Sequence, residues 1–316
     1  MLIIIPHNLF QKEKIVLFYD IIFHEVLLMG DNLVLFMNAF MYELEELLNQ
    51  NLNYFDDVKF QFDEANTDQQ IKIKIKEFIL NNFKSIKSVT EIRENNKGTF
   101  ISRDDYIISN IKVPGELNDD DRKFIRNSRN AVYTNPDLLF FVSDGDKEYR
   151  ISVEVKSTKN DKIPGSSIQQ IDVNDWVIFL KHNDKHIIEF VTGKYIDSIS
   201  GTMQFPDRSP RPQVSYNILK KWNKENRNFK NGILSFSDDE DKNDKLQLID
   251  DWQMLLSKRW LEVLKRKKKS FNEPWFNNNI RKFSLLLLEY YETLDNEKKE
   301  KFINFIKENT TGDNNE

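Results

Sequence analysis

The sequence predicts an α/β protein in which a mixed β-sheet core is flanked by helices, with helices ahead of it and an α-helical C-terminal region behind it. Two patterns carry that expectation. Residues 135–159, NPDLLFFVSDGDKEYRISVEVKSTK, read as a strand, a turn and a second strand. Leu138 to Val142 is a short apolar run, Ser143-Asp144-Gly145-Asp146 is a turn, and Tyr149 to Val155 alternates with period two. On either side, apolar residues recur at helical spacing, as in Leu33, Phe36, Phe40, Leu44 and Leu48, or in Leu248, Trp252, Leu255, Trp260 and Val263.

At 316 residues the chain can bury a substantial core, as one large domain or one domain with an appendage. It has no cysteine, which excludes disulfides and thiolate metal sites; a reducing, bacterial cytoplasm is the expected compartment. A net charge of −5 does not by itself mark a nucleic-acid binder, so such a role must rest on a clustered basic face. Met1 to Ile5 is apolar but short, lacks a basic start and is broken by Pro6. It is expected to be neither a signal peptide nor a membrane span.

In chain order, residues 12–29 and 32–49 read as two helices divided at Gly30-Asp31-Asn32, with Glu43, Glu45 and Glu46 on the solvated face. A further helix starts at Asp68 as its cap and runs through Ile71, Ile75, Ile79 and Phe83. Val89 to Arg93 is expected as the first strand of the sheet, and Asn118 to Arg129 as a short polar helix. Residues 176–182 and 186–192 form a hairpin turned at Asn183-Asp184-Lys185. Thr192 to Val214, with three prolines and two arginines, reads as a long ordered loop, and such loops are often functional. Tyr216 to Lys230 reads as a basic-aromatic helix, followed by helices over 246–269, 276–292 and 295–307.

The chemistry concentrates in the first hairpin. Tyr149, Ile151, Val153 and Val155 share one face of the second strand; Arg150, Ser152, Glu154 and Lys156 share the other. Antiparallel pairing brings Asp137, directly after Pro136, beside Glu154 and Lys156. Two converging carboxylates repel each other unless a cation sits between them, and oxygen-only ligands favour a hard ion such as Mg²⁺. Other E-x-K triplets lie in an acidic loop at Glu240 and on a helix at Glu297, and the D-x-K triplets at Asp57 and Asp121 have no Pro-Asp ahead of them. A second Pro-Asp, Pro206-Asp207, has no strand and no E-x-K in range.

Pro136-Asp137 followed across a hairpin by Glu154-Val155-Lys156 resembles the PD-(D/E)XK nucleases, the superfamily holding many type II restriction endonucleases. The likeness extends over residues 70–200, with Ser166 to Gln170 as a helix start and Trp176 to His182 as the next core strand. It implies a restriction-endonuclease-like core over 67–215, between an N-terminal helical region, 1–66, and a C-terminal helical region, 216–308, with 309–316 as a disordered tail. Asp137 and Glu154 would hold Mg²⁺ with the Val155 carbonyl as third ligand, and Lys156 would orient or deprotonate the attacking water. Glu77, on the preceding helix, is the candidate for an additional acidic residue. The same resemblance implies double-stranded DNA as substrate, 5′-phosphate products, a homodimer, no membrane partner, and a cognate DNA methyltransferase encoded nearby but not held as a stable subunit.

Candidates for DNA contact are Ser157 and Lys159 after the second strand, and Arg208, Arg211 and Gln213 in the proline-stiffened stretch. Arginine can read guanine and glutamine adenine in the major groove. Lys265 and Arg266 head a basic run ending at Lys269, suited to phosphate contact. Two other readings stay open on the residues alone: a repair or recombination nuclease of the same fold that selects DNA structure, and a non-catalytic nucleic-acid-binding protein.

Overall fold

The computed structural model describes residues 32–60, 64–94, 97–128, 136–166, 172, 175–204, 211–237, 245–246, 249, 251–266, 273 and 275–310. The expected helix over 12–29 lies outside these residues, as do 311–316 of the expected disordered tail, the helix start after Ser166, Arg208 and the basic run after Arg266, whereas Asn309 and Thr310 are helical. Contacts divide the chain into two units, Met1–Gln247 and Leu248–Glu316.

In the first unit, helix α1 (residues 32–50) buries Leu33, Phe36, Met37, Phe40, Met41, Leu44 and Leu48, a stripe at three- and four-residue spacing. Its rings meet those of later elements. Phe40 stacks on Phe83 at 4.8 Å and meets Phe140 edge-on at 6.2 Å. Each fully buried ring contributes about 1.5–3 kcal/mol relative to exposure.

The glutamates of α1 correct the sequence reading. Only Glu46 is exposed. Glu43 is buried and accepts the backbone N–H groups of Lys87, Ser88 and Val89 at 2.6–2.7 Å. Glu45 accepts from Thr192 N at 2.6 Å and pairs with Arg227 at 3.3 Å. Helix α2 (Glu64–Asn82) begins ahead of Asp68, which is therefore inside the helix and not its cap.

The central sheet comes next. Strand β1 (Glu91–Glu94) and β2 (Lys97–Phe100) form a hairpin, but they belong to a separate sheet. The five-stranded sheet starts at β3 (Ile107–Lys112), not at Val89, and continues after helix α3 (Asp119–Ser128) with β4 (Leu138–Ser143) and β5 (Glu148–Thr158). Strand β4 lies between β3 and β5, antiparallel to both, and is buried on both faces, which explains its uninterrupted apolar run. Its turn into β5 uses Asp144 Oδ1 as acceptor for the N–H groups of Asp146 and Lys147, with Gly145 at φ +96°.

After β5 the chain forms β6 (Lys162–Pro164) and returns as β7 (Trp176–His182), parallel to β5. Strand β8 (Ile187–Lys194) closes the sheet antiparallel to β7, as the hairpin reading expects, giving the order β3-β4-β5-β7-β8. The described residues between 192 and 214 do not form a loop. They form the end of β8, a 3₁₀ turn over Tyr195–Ser198, β9 (Ile199–Gln204) and β10 (Arg211–Ser215), and β10 lies between β6 and β9 in a three-stranded sheet.

Helix α4 (Tyr216–Asn226) ends sooner than its basic-aromatic pattern suggests and gives way to β11 (Arg227–Lys230) and β12 (Ile233–Phe236). Strand β12 pairs parallel to β1 in the order β11-β12-β1-β2, so residues 216–236 belong to the sheet-bearing unit and not to a C-terminal helical region. The first unit is thus mixed α/β with mixed sheets.

The second unit holds α5 (Trp252–Lys265), α6 (Trp275–Thr293) and α7 (Asn296–Thr310). Val263 and Asn277 are buried, and Arg281 pairs with Glu273 through both carboxylate oxygens. Tyr290 and Tyr291 meet the Phe302 ring at 5.5 and 6.5 Å, whereas Phe283, Leu285, Leu286, Leu288 and Phe305 are exposed. Among the described residues no helix is long and apolar enough to cross a membrane.

Candidate active site

The register of β4 against β5 determines the site. Leu138 lies opposite Val153, so Asp137, one residue before the ladder begins, falls beside Glu154. The Val155 N–H, which has no β4 backbone partner at that level, donates to Asp137 Oδ2 at 2.9 Å. Within a strand the N–H and C=O of one residue point to the same side, so the Val155 carbonyl faces the Asp137 side as well.

Around this pair the polar groups converge. Lys156 Nζ lies 2.7 Å from Glu154 Oε2 and 3.8 Å from Asp137 Oδ2. Ser166 Oγ donates to the same Glu154 oxygen at 3.0 Å, and the Ser166 N–H donates to the Tyr195 hydroxyl at 2.8 Å. Lys72, from α2, places its Nζ 2.7 Å from Asp137 Oδ1. Lys72, Asp137, Glu154 and Lys156 are each between 13% and 17% exposed at the side chain, which shields their pairing from bulk water while leaving access. Burial works against the charge on Lys156, but Glu154, Asp137 and Tyr195 outweigh it and hold the ammonium above its ordinary range. Burial likewise pushes the Tyr195 phenol up.

Asp137, Glu154 and Lys156 thus come together as the spacing predicts. Glu77 does not stand in the cluster: it is exposed on α2, and the α2 side chain that reaches Asp137 is Lys72. Ser157 lies half-buried in β5 opposite Leu180, and Lys159 is exposed and paired with Asp184. On β10, Arg211 is exposed and Gln213 half-buried, with Pro212 and Val214 buried. Lys265 is exposed and paired with Glu262 at 2.8 Å, and Arg266 follows α5, exposed. His182 stacks on Phe60 at 4.1 Å, whereas His186 meets Asn183.

Lys72, Ser166 and Tyr195 are absent from the sequence-based site. Lys72 borders the apolar stripe beside Ile71, a position that distinguishes it from an ordinary solvated lysine only weakly. Gly165 offers a stronger signal in retrospect: a Cβ there would lie 2.5 Å from the Pro212 carbonyl and 2.6 Å from the Tyr195 hydroxyl, so the chain next to Ser166 tolerates no side chain.

Among the described residues no group of three or more histidine, aspartate or glutamate side chains gathers as a metal cage. Mg²⁺ is commonly held by one or two carboxylates together with water and substrate phosphate, so Asp137 and Glu154, with two hard oxygen-bearing groups side by side, fit that ion. Comparisons with protein-family models, curated proteins and solved structures return no match for this chain.

Proposed function

We propose that this chain is a Mg²⁺-dependent endonuclease of the type II restriction kind, which hydrolyses double-stranded DNA at a specific sequence and leaves 5′-phosphate ends. The observation that carries the reading is the convergence of Asp137, Glu154 and Lys156 where β5 runs past the start of β4. Asp137, Glu154 and the Val155 carbonyl would hold the ion, which when bound polarises the scissile phosphate and stabilises charge on the departing oxygen. Lys156 Nζ, held between both carboxylates, orients the attacking water toward phosphorus. Ser166, itself held through its N–H by the Tyr195 hydroxyl, donates to Glu154 Oε2 and supports that carboxylate's placement.

Arg211, exposed, and Gln213, half-buried, on the face of β10 opposite the buried Pro212 and Val214, supply side chains of the types that read guanine and adenine. Sequence-specific cutting of a palindromic site follows most directly from a homodimer. The test is incubation of the protein with phage-sized DNA in Mg²⁺ or EDTA, beside Lys156→Ala. Discrete Mg²⁺-dependent fragments that the variant does not produce support the proposal. A Mg²⁺-dependent smear lost in the variant points to a nuclease selecting DNA structure. Varied DNAs left intact in both Mg²⁺ and Mn²⁺ would remove the enzymatic reading and leave a binding protein.

A further inference from the structure

Asp137 and Glu154 face two ammonium groups, not one. Lys156 belongs to the strand that carries Glu154, but Lys72 arrives independently from α2 and lies 2.7 Å from Asp137 Oδ1. Its helix neighbours are engaged elsewhere: Lys74 pairs with Asp57 and Lys76 with Glu116. The Oδ2 atom of Asp137 is committed to the Val155 N–H and lies near Lys156, so Oδ1 is the oxygen left for a metal, and Lys72 is on it. The four side chains sum to zero charge. A divalent ion entering that cluster alone makes it strongly positive, which a partly shielded site disfavours.

We infer that Lys72 is a built-in counter-cation of the metal site, holding Asp137 Oδ1 until a divalent ion and a DNA phosphate arrive together. The inference rests on the proposed metal-binding role of Asp137 and Glu154. Lys72 is a positioning residue here: it acts on metal entry through Asp137. Its consequence is that the free protein binds divalent ions weakly, and that the phosphate, by balancing the charge or by drawing the Lys72 ammonium to itself, couples metal loading to substrate.

The test is Mn²⁺ binding to the free protein, followed by electron paramagnetic resonance and calorimetry, for wild type, Lys72→Met, Lys72→Arg and Asp137→Asn. Removing one unit charge in contact with the site should tighten Mn²⁺ binding by about tenfold in Lys72→Met, while Lys72→Arg keeps the wild-type affinity. With a phosphorothioate DNA duplex present, the gap between wild type and Lys72→Met should narrow. Circular dichroism and melting establish that each variant is folded, and Lys72→Gln takes the place of Lys72→Met if the latter is not. Equal or weaker Mn²⁺ binding by the folded neutral variant, or a gap that DNA leaves unchanged, overturns the inference while loss of binding in Asp137→Asn keeps the metal site. Mn²⁺ binding that is absent throughout, or indifferent to Asp137→Asn, overturns the metal-site reading and this inference with it.

Discussion

The backbone N–H of Val155 donates to Asp137 Oδ2 at 2.9 Å, so the aspartate that opens β4 also completes the hydrogen bonding of β5. One carboxylate thereby has a structural task beside its proposed chemical one, and the two can be separated. Asp137→Asn keeps an acceptor for the Val155 N–H but removes the charge; DNA cleavage should fall by about 100-fold or more. Asp137→Ala removes the acceptor too, and urea denaturation should place it about 1–3 kcal/mol below Asp137→Asn in stability. Equal stability of the two variants would mean that the hydrogen bond contributes nothing to folding.

Gly165 ties the strand bearing Arg211 and Gln213 to the Glu154 carboxylate. Its N–H donates to the Pro212 carbonyl at 2.8 Å, and the next residue, Ser166, holds Glu154. Because an added Cβ would lie 2.5 Å from that carbonyl, Gly165→Ala must separate β6 from β10 or displace Tyr195. A stability loss of about 1–3 kcal/mol is expected, as for other overpacked sites. Cleavage should fall further than the folded fraction alone explains, which single-turnover rates on the purified folded protein measure directly.

The β4–β5 turn gives the chain a definite alkaline signature. The Tyr149 hydroxyl donates to Asp144 Oδ2 at 2.8 Å, and burial together with that carboxylate pushes the phenol up from 10.0 to about 12. A raised value means that the folded state binds the proton more tightly. The contribution is therefore complete below pH 10.0 and is lost as the pH rises through about 12. Asp144 shifts the other way: the Lys147 N–H, ahead of other contacts, holds it below its ordinary 3.8, so its contribution is present above pH 3.8 and is lost on further acidification. Tyr149→Phe should flatten the alkaline limb of the stability–pH curve and, because the Tyr149 hydroxyl is one of the groups that lower Asp144, weaken the acid limb only in part, as urea melts across both ranges would register.

Much of the site is local in sequence, and that part was legible. A hairpin with a short turn fixes which residues face one another, so Asp137, Glu154 and Lys156 follow from period-two alternation and one register. What arrives from far along the chain was not. Lys72 differs from Lys74 and Lys76 only in the partner that folding brings to it. The glutamates of α1 look like a solvated face because the groups that bury them, the amides of residues 87–89 and the Thr192–Arg227 cluster, belong to distant elements. Proline argues against a central strand, which hid β10. Pro212 is accommodated where the β9–β10 register shifts, with its carbonyl used by Gly165.

Glu43 separates support of the fold from chemistry. Its carboxylate accepts three consecutive backbone N–H groups, from Lys87 at 2.6 Å, Ser88 at 2.7 Å and Val89 at 2.7 Å, and also the Ser88 hydroxyl at 2.9 Å. It thereby joins α1 to the segment entering β1, and no atom of the Asp137–Glu154 cluster is among its partners. Glu43→Ala leaves buried amides without acceptors and should destabilise the protein by about 3 kcal/mol or more. Glu43→Gln keeps one acceptor oxygen but presents an NH₂ where donors already crowd, so it should lie between wild type and Glu43→Ala. Neither change touches Asp137, Glu154 or Lys156, so at a temperature where each variant is fully folded the single-turnover cleavage rate expected from the proposed function should match the wild type. A stable but inactive Glu43→Gln would instead mean that the entry to β1 is coupled to the β4–β5 hairpin, a coupling that the hydrogen bonds of Glu43 do not provide.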